Sequence, residues 1–220
     1  MMKRLSDRRV SIALIFRVWQ VRVIGCLLLF VSNDAGWGSE ANSHVGNDST
    51  VLSKRWLHEA GAAIGGGLGM KVFGSDLDHH LALSKVHYGW RRNRLYFPHS
   101  WYRGELGVFN ELMAGGQFDP EGAYVIGATP VIKYRFCYWD RFRPFLEGAA
   151  GMMLTDIGAP SLGSVFEFYQ QAGAGIEWQQ SRILTWTAQV RFAHISNAGI
   201  TRSNRGINNL LFFLGANWTF

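Results

Sequence analysis

The last twelve residues, Asn209–Phe220 (NLLFFLGANWTF), alternate between two registers, and this alternation indicates a β-strand. One register is apolar throughout, whereas the other carries Asn209, Gly215, Asn217 and Thr219. Successive side chains of a β-strand point to opposite faces, so the segment predicts a strand with one dry and one wet face. The dry face comprises Leu210, Phe212, Leu214, Ala216, Trp218 and Phe220.

The same alternation recurs upstream. An unbroken dry face runs through 124–136 (YVIGATPVIKYRF), and the segments 142–154 and 166–178 repeat it, the latter with an interruption at Gln170. Less regular strands are predicted over 56–70, 80–90, 101–112 and 182–196, which makes eight in all. Nine Trp, seven Tyr, fifteen Phe and 26 Gly beside five Pro also favour strands and tight turns.

Alternation by itself does not separate a soluble sandwich from a membrane barrel. Dry faces of about ten residues, edged by Tyr, Trp and Phe, are typical of outer-membrane strands. The sequence therefore predicts an all-β fold, an eight-stranded antiparallel transmembrane β-barrel over residues 55–220. Its narrow interior is filled by side chains, where opposite charges can pair. The charged residues expected there are Arg103, Glu105, Lys133, Arg135, Arg143, Glu147, Glu167 and Arg191.

The connections follow the same scheme. Short ones are predicted after strands two, four and six, near 92–94, 138–140 and 179–181, and longer ones after strands three, five and seven. The glycines at 65–67 and 69 predict close packing against a neighbouring strand. Pro130 lacks an N–H donor and predicts a bulge or a local weakness in its strand. His79 and His80 are expected in a solvated loop, without the spaced partners of a metal site.

The N-terminus has the features of an export signal. Residues 1–22 are basic, Val23–Val31 is an apolar run of nine, and small or polar residues follow. This pattern predicts a signal peptide over 1–35, with an approximate end, and a flexible extension over 36–54. VIGC at 23–26 also resembles a lipoprotein cleavage box, although most of the apolar run follows Cys26. The predicted location is the outer membrane of a Gram-negative cell.

The formal charge of +6 does not indicate a nucleic-acid partner. Six basic and two acidic residues lie among the first 35, which leaves 16 basic and 14 acidic residues without a dense cationic stripe. If the leader with Cys26 is removed, Cys137 has no partner for an intramolecular disulfide. Neither a metal nor a cofactor is expected.

Strand seven carries polar residues on its dry face. Continuing by twos from Phe192, His194 and Ser196 fall on the lipid-facing side at the outer membrane boundary. Residues two apart on a strand have Cα atoms about 7 Å apart, within side-chain hydrogen-bond reach. The His could then take the Ser proton as a general base. Alternatively, both side chains simply rest in the headgroup zone.

The run His194–Ile200 (HISNAGI), followed by Asn204, Gly206 and Ile207, resembles the signature of the PagL family of lipid A 3-O-deacylases. The resemblance continues in ATPVIKYRF (128–136), RPFLEGAAG (143–151) and AGAGIEW (172–178). It implies an eight-stranded outer-membrane barrel that hydrolyses the ester of the 3-hydroxy fatty acid at the 3-position of lipid A. By this resemblance Ser196 is the nucleophile, His194 is its base, and the backbone N–H groups of Asn197 and Gly199 are oxyanion-hole candidates.

One position departs from the family pattern, because Asn208 stands where the family has a Glu fourteen residues after the His. In a serine protease triad an acid-to-amide change costs about 10⁴-fold in turnover, so a slow enzyme or a different orienting group is expected. Asn208 can equally be a tolerated variant. Arg202 and Arg205 flank the site and are candidates for lipid A phosphates, or are solvated loop cations.

The sequence therefore leaves several functions open. The first is an ester hydrolase whose partners are lipid A or lipopolysaccharide and outer-membrane lipid. The second is a non-catalytic structural or adhesion barrel, and the third is an exported soluble β-protein that carries an apolar ligand. A homodimer is also allowed.

Overall fold

The computed structural model describes residues 56–220, so the predicted signal peptide and N-terminal extension lie outside the described residues. Eight β-strands account for most of this part of the chain. They are β1 (Trp56–Gly69), β2 (His80–Arg92), β3 (Gly104–Asp119), β4 (Ala123–Phe136), β5 (Phe142–Thr155), β6 (Phe166–Gln179), β7 (Leu184–Ser196) and β8 (Ile207–Thr219).

Each strand pairs antiparallel with the next along the chain, and β8 pairs with β1, so the sheet closes into a barrel. The predicted eight-stranded barrel is confirmed. At the closing seam a side chain on Gly65 would overlap the carbonyl oxygen of Phe212. The close strand packing predicted for this glycine is therefore confirmed. We call the end at which β1, β3, β5 and β7 finish the upper rim, and the opposite end the lower rim.

Two connections differ from the prediction. The β2–β3 connection, residues 93–103, is long, whereas the β3–β4 connection, residues 120–122, is short. The aromatic residues before Gly104 belong to a lower-rim loop closed by a two-way backbone bridge between Tyr96 and Gly104, and not to a strand. At its other end β3 continues to Asp119, beyond the predicted end at 112, because Gly115 and Gly116 also pair with both neighbouring strands. The short connections after β4 and β6 and the long ones after β5 and β7 are confirmed.

The outward face of the barrel is apolar. Ile64, Val86, Leu112 and Leu214 are all more than half exposed at mid-height. Exposed aromatic side chains lie nearer the rims, as the sequence predicts; they are Phe118, Tyr124 and Phe166 towards the upper rim and Trp56, Trp90, Phe142, Trp178, Trp186 and Trp218 towards the lower rim. A hydrocarbon-facing band with interfacial aromatics is the surface that a bilayer requires. Between Trp56 and Phe220 no helix is both long and apolar enough to cross a membrane.

The inward face is charged and internally paired. Arg191 donates from Nε to Glu147 at 2.6 Å and from its terminal nitrogens to Glu111, which also accepts from Lys85 at 2.7 Å. A second layer towards the lower rim joins Arg135 to Glu59 and Glu177, and Lys133 also contacts Glu177. Glu105 contacts Arg91 and Arg143. Charge pairing in the interior is therefore confirmed for most of the expected residues.

Two of the expected charges do not take part in this pairing. Arg103 donates instead to the backbone carbonyls of Cys137 and Tyr138. Glu167 accepts hydrogen bonds from Ser164. Both residues lie near a rim, where loop groups are the nearest partners.

Pro130 weakens one ladder without shifting its register. β4 pairs with β5 up to Ala128 and again from Val131, and the partners Met152 and Ala149 keep the same alignment. The missing N–H of proline accounts for a gap of this kind. The local weakness predicted at Pro130 is confirmed, whereas the register shift in the barrel lies elsewhere, between His80 and Leu81 of β2.

Candidate active site

The upper end of β7 places His194 and Ser196 on the outside of the barrel. Ala193 and Ile195, in the other register, are buried in the interior. The lipid-facing register read from the sequence is therefore confirmed. Ser196 is nevertheless only 5% exposed, and His194 is half-buried. A pair on the outer wall that is largely withdrawn from water is suited to a reaction at the boundary between membrane and solvent.

Asn208 lies directly opposite His194 in the β7–β8 ladder. Its side-chain oxygen Oδ1 is 2.7 Å from the ring atom Nδ1 of His194, and the side chain is almost completely buried. The spacing of fourteen residues along the sequence therefore corresponds to one cross-strand pair. Asn208 occupies the place from which an orienting group can reach the imidazole.

The orientation of the Asn208 amide is fixed by a second contact. Its Nδ2 donates to the backbone carbonyl of Val72 at 2.7 Å. Because a carbonyl can only accept, the NH₂ group must face Val72, and the amide oxygen must face His194. His194 then carries its proton on Nδ1, and Nε2 is left with the lone pair of a base. This contact to Val72 could not be found from the sequence, because the two residues are 136 positions apart.

Asn197 holds the connection that follows Ser196. Its Oδ1 accepts from the N–H of Gly199 at 2.9 Å, and its Nδ2 donates to Thr201 Oγ1 and to the Ser203 carbonyl. Ala198 and Gly199 have φ values of 55° and 82°, and the N–H of Ile200 bonds to the Asn197 carbonyl. Positive φ at both central positions is the conformation of a type I′ turn. The buried Asn197 side chain therefore shapes the turn beside Ser196.

The oxyanion-hole candidates are engaged elsewhere in this structure. The backbone N–H of Asn197 donates to Asn204 Oδ1 at 3.1 Å, and that of Gly199 donates to the Asn197 side chain. Gly206 has a different role, because its φ is 76° and a Cβ there would lie 2.9 Å from Cε1 of His194. A glycine at 206 thus leaves room for the imidazole ring.

The two candidate phosphate-binding arginines have different surroundings. Arg205 forms an ion pair with Asp76 of the β1–β2 connection. Arg202 is exposed and lines a cleft of about 460 Å³ together with Asp156, Ser164 and Thr201. The charge of Arg205 is thus already balanced within the protein, and Arg202 is the better placed of the two to meet an anion.

His79 corrects an expectation, because it does not lie in a solvated loop. It is 2% exposed, with Nδ1 at 2.6 Å from Gln117 Oε1 and Nε2 at 2.9 Å from Ser161 Oγ. The loop residue is buried because its ring joins the β1–β2 connection to β3 and to the β5–β6 connection. Burial lowers the pKa of His79 below its ordinary value. Within residues 56–220 no three His, Cys, Asp or Glu side chains are placed to share a metal ion.

The β5–β6 connection in turn contacts the segment after Ser196. The Ser161 carbonyl accepts from the N–H of Gly206, and Leu162 forms a bridge with Asn204. On the other side, the backbone carbonyl of His79 accepts from the Asn209 side chain. We call His79, Gln117 and Ser161 the histidine clamp, because together they hold three upper-rim segments around the start of β8.

Comparison with known proteins identifies related chains. The family model described as lipid A 3-O-deacylase (PagL) matches residues 84–217. The lipid A deacylase PagL of Pseudomonas aeruginosa is 33% identical over 101 residues, which are 44% of this chain and 56% of that protein. The aligned region thus spans little more than half the length of this curated relative.

Solved structures support the fold. The outer membrane enzyme PagL superposes with a TM-score of 0.53 at 22% identity, covering 71% of this chain and 97% of that one. Neisserial surface protein A superposes with a TM-score of 0.54 at 12% identity, covering 75% and 97%. At these identities the likeness is one of fold. Since the family model covers more than half of the sequence, including β7 with His194 and Ser196, the chain belongs to the PagL family of lipid A 3-O-deacylases.

Proposed function

We propose that this protein hydrolyses the ester that links the 3-hydroxyacyl chain to the 3-position of lipid A, in the outer membrane of a Gram-negative cell. The observation that carries the proposal is the Val72–Asn208–His194 hydrogen-bond chain beside Ser196. It prepares Nε2 of His194 as a base on the outer wall of the barrel. An ester of a membrane lipid is presented to that wall, whereas a soluble substrate would call for an open cleft.

The reaction proceeds in two halves. Ser196 Oγ attacks the ester carbonyl while its proton passes to Nε2 of His194. The tetrahedral intermediate collapses, the bond to the sugar oxygen breaks, and that oxygen takes the proton from His194. Water then attacks the acyl-Ser196 ester and gives a proton to His194, the bond between the acyl carbon and Ser196 Oγ breaks, and His194 returns the proton to Oγ as the 3-hydroxy fatty acid leaves. Asn208 keeps the ring in the required tautomer throughout, but it supplies no negative charge to the imidazolium.

The oxyanion must be stabilised by donors near Ser196, and we assign this role to the backbone N–H groups of Asn197 and Gly199. Both donate to side-chain amide oxygens in this structure. A developing oxyanion is a stronger acceptor than a neutral amide oxygen, so it can compete for these donors. The assignment therefore includes a small adjustment of the 197–200 turn during the reaction.

Arg202 is assigned to a phosphate of lipid A. Its guanidinium is exposed at the upper rim, where an anionic headgroup lies when the acyl chains contact the barrel wall. Charge reversal at Arg202 is expected to raise KM for lipid A. Charge reversal at Arg205 is expected to affect activity through loss of the ion pair with Asp76. Unchanged activity and lipid binding in the double reversal would remove both arginines from the substrate site.

The test is mass spectrometry of lipid A after incubation with the detergent-folded full chain. The unaltered protein is expected to remove one 3-hydroxyacyl mass, and Ser196→Ala is expected to remove none. Ser84→Ala is the matched control, because Ser84 also faces outward but lies on β2 and donates to the Ala114 carbonyl. Removal of the acyl chain from lipid A by the Ser196→Ala protein would overturn the assignment of Ser196 as the nucleophile.

A non-catalytic structural or adhesion barrel is the second candidate function, and the neutral Asn208 is the observation that favours it. The same assay decides between the two. Lipid A left intact by a correctly folded, unaltered protein would select the non-catalytic function.

A further inference from the structure

Phe73 is an exposed aromatic residue in an unfavourable backbone conformation. The residue is 76% exposed, and its φ is 53°. Gly74 follows with a φ of 97°, and the N–H of Ser75 bonds to the Val72 carbonyl at 3.1 Å. We call Val72–Ser75 the Phe73 turn. A bulky residue is disfavoured at positive φ, and such strain persists where the surrounding structure imposes it.

The Phe73 turn lies beside the reacting residues. The ring of Phe73 is 6.1 Å from that of Phe192, centroid to centroid, and nearly perpendicular to it at 77°. Phe192 faces outward on β7, two residues before His194. The two rings therefore form a continuous apolar surface directly below the His194 side chain, on the wall that faces the acyl chains.

The position of this turn is fixed on both sides. The Val72 carbonyl accepts from the Asn208 side chain, and Asp76, just beyond the turn, forms an ion pair with Arg205. The same short segment thus orients the amide that contacts His194 and presents Phe73 to the membrane side. Phe73 precedes residue 84, where the family match begins.

We propose that Phe73, together with Phe192, binds the acyl chain of the ester whose carbonyl lies at Ser196, and so contributes to acyl-chain specificity. This inference rests on the proposed function. The substrate chemistry is a saturated hydrocarbon chain of a membrane lipid, which gains from contact with two aromatic rings. The contacts of Val72 with Asn208 and of Asp76 with Arg205 hold the Phe73 turn at this place.

Phe97 provides a matched control. It has the same φ of 53° and is 55% exposed, but it lies on the β2–β3 connection at the lower rim, far along the barrel from Ser196. Truncation of either residue to Ala keeps the Cβ, and with it the backbone strain, and removes a similar exposed ring. A ring that serves as a general membrane anchor would give the same result at both positions.

The experiment measures lipid A retained by the full-length Ser196→Ala protein, in detergent, by native mass spectrometry. Addition of Phe73→Ala is expected to weaken retention about tenfold, and Phe73→Leu to restore most of it. Phe97→Ala is expected to change retention less than about twofold. Equal retention with Phe73→Ala, or equal losses at Phe73 and Phe97, would overturn the inference.

Deacylation with Ser196 intact keeps the two proposals separate. Phe73→Ala is expected to raise KM for lipid A about tenfold with a smaller change in kcat. If the unaltered protein cleaves no lipid A but Phe73→Ala still lowers retention, the proposed function fails and the binding role of Phe73 stands. If cleavage is normal and neither KM nor retention responds to Phe73→Ala, the proposed function stands and the acyl-chain contact is wrong.

Discussion

Asn208 and His194 face each other across the β7–β8 ladder, with Oδ1 of the amide 2.7 Å from Nδ1 of the ring. In a serine protease triad an amide in this position harms catalysis, because its NH₂ group can face the ring and stabilise the wrong tautomer. Here the Val72 carbonyl takes the NH₂ group, so that the oxygen faces the ring. What the amide lacks is the negative charge, and a tautomer penalty is not expected.

Substitution of Asn208 separates orientation from charge. Asn208→Leu removes the acceptor and is expected to lower kcat about 100-fold, with little change in KM. Asn208→Asp supplies a negative charge that stabilises the imidazolium, but its second oxygen meets the Val72 carbonyl, which can only accept, so a rise in kcat of no more than about tenfold is expected. The rate of single-turnover deacylation of lipid A is measured for both variants. A rate for Asn208→Leu equal to that of the unaltered protein would show that Asn208 does not orient His194.

Arg191 is central to the interior charge network. Arg191→Leu leaves Glu111 and Glu147 buried without their main partner, and we expect a loss of about 3–5 kcal/mol in the free energy of unfolding. Arg182→Leu, on the exposed β6–β7 connection, is expected to cost less than about 0.5 kcal/mol. Guanidinium unfolding in detergent compares the two. Similar losses for both variants would contradict a structural role of the network.

Closure of the barrel depends on a close approach at Gly65. A Cβ there would overlap the Phe212 carbonyl, so Gly65→Ala is expected to destabilise the protein by about 1–3 kcal/mol. Gly148 is the control, since it also lies in a strand but a Cβ there would meet no atom within 4 Å. The free energy of unfolding is measured for both alanine variants. A loss for Gly65→Ala no larger than that for Gly148→Ala would contradict the need for a glycine at the β1–β8 seam.

The histidine clamp is expected to weaken in acid. Burial lowers the pKa of His79, although the Gln117 bond and the carboxylates of Asp78 and Asp119 oppose that shift. The unfolded chain, with a histidine pKa of about 6.5, binds the proton first as the pH falls. The contribution of His79 to stability is therefore complete above about pH 6.5 and is lost as the pH falls through the folded pKa.

The comparison with His79→Gln measures this contribution. The difference in the free energy of unfolding between the unaltered protein and His79→Gln is expected to be larger near neutral pH than in mild acid. His99→Gln, at an exposed lower-rim position, controls for the loss of a histidine as such. A difference that grew in acid would mean that His79 is bound in its charged form.

The strands could be predicted because each one repeats a local pattern. The alternation over 124–136 and over 209–220 indicates both that each segment is a strand and which of its sides faces outward. Continued back by two from Leu210, the second pattern places Asn208 in the outward register with His194. The β3 boundary was wrong because Trp101 and Tyr102, which are aromatic and typical of strands, belong to a loop. A local pattern does not report which backbone groups find a ladder partner.

The contacts of the upper rim were beyond the sequence for another reason. Val72 meets Asn208, and His79 meets Ser161, only after the barrel has closed. His79 was expected in solvent because a polar loop residue usually lies there, and its partners Gln117 and Ser161 are 38 and 82 residues away in the sequence. Residue types and register predicted that His194 and Ser196 share the outer wall, and the family resemblance implied their roles, whereas the group that orients the Asn208 amide depended on three-dimensional placement.

Under the proposed function, the outward position of Ser196 also determines how a lipid substrate would reach it. The interior is filled by paired charges, and the hydroxyl lies on the wall that faces the bilayer. A lipid substrate then arrives by lateral diffusion within the leaflet, so the encounter rate depends on its surface density and not on its bulk concentration. In mixed micelles, dilution of lipid A with inert detergent would slow turnover even when the total amount of lipid A in the sample stays the same.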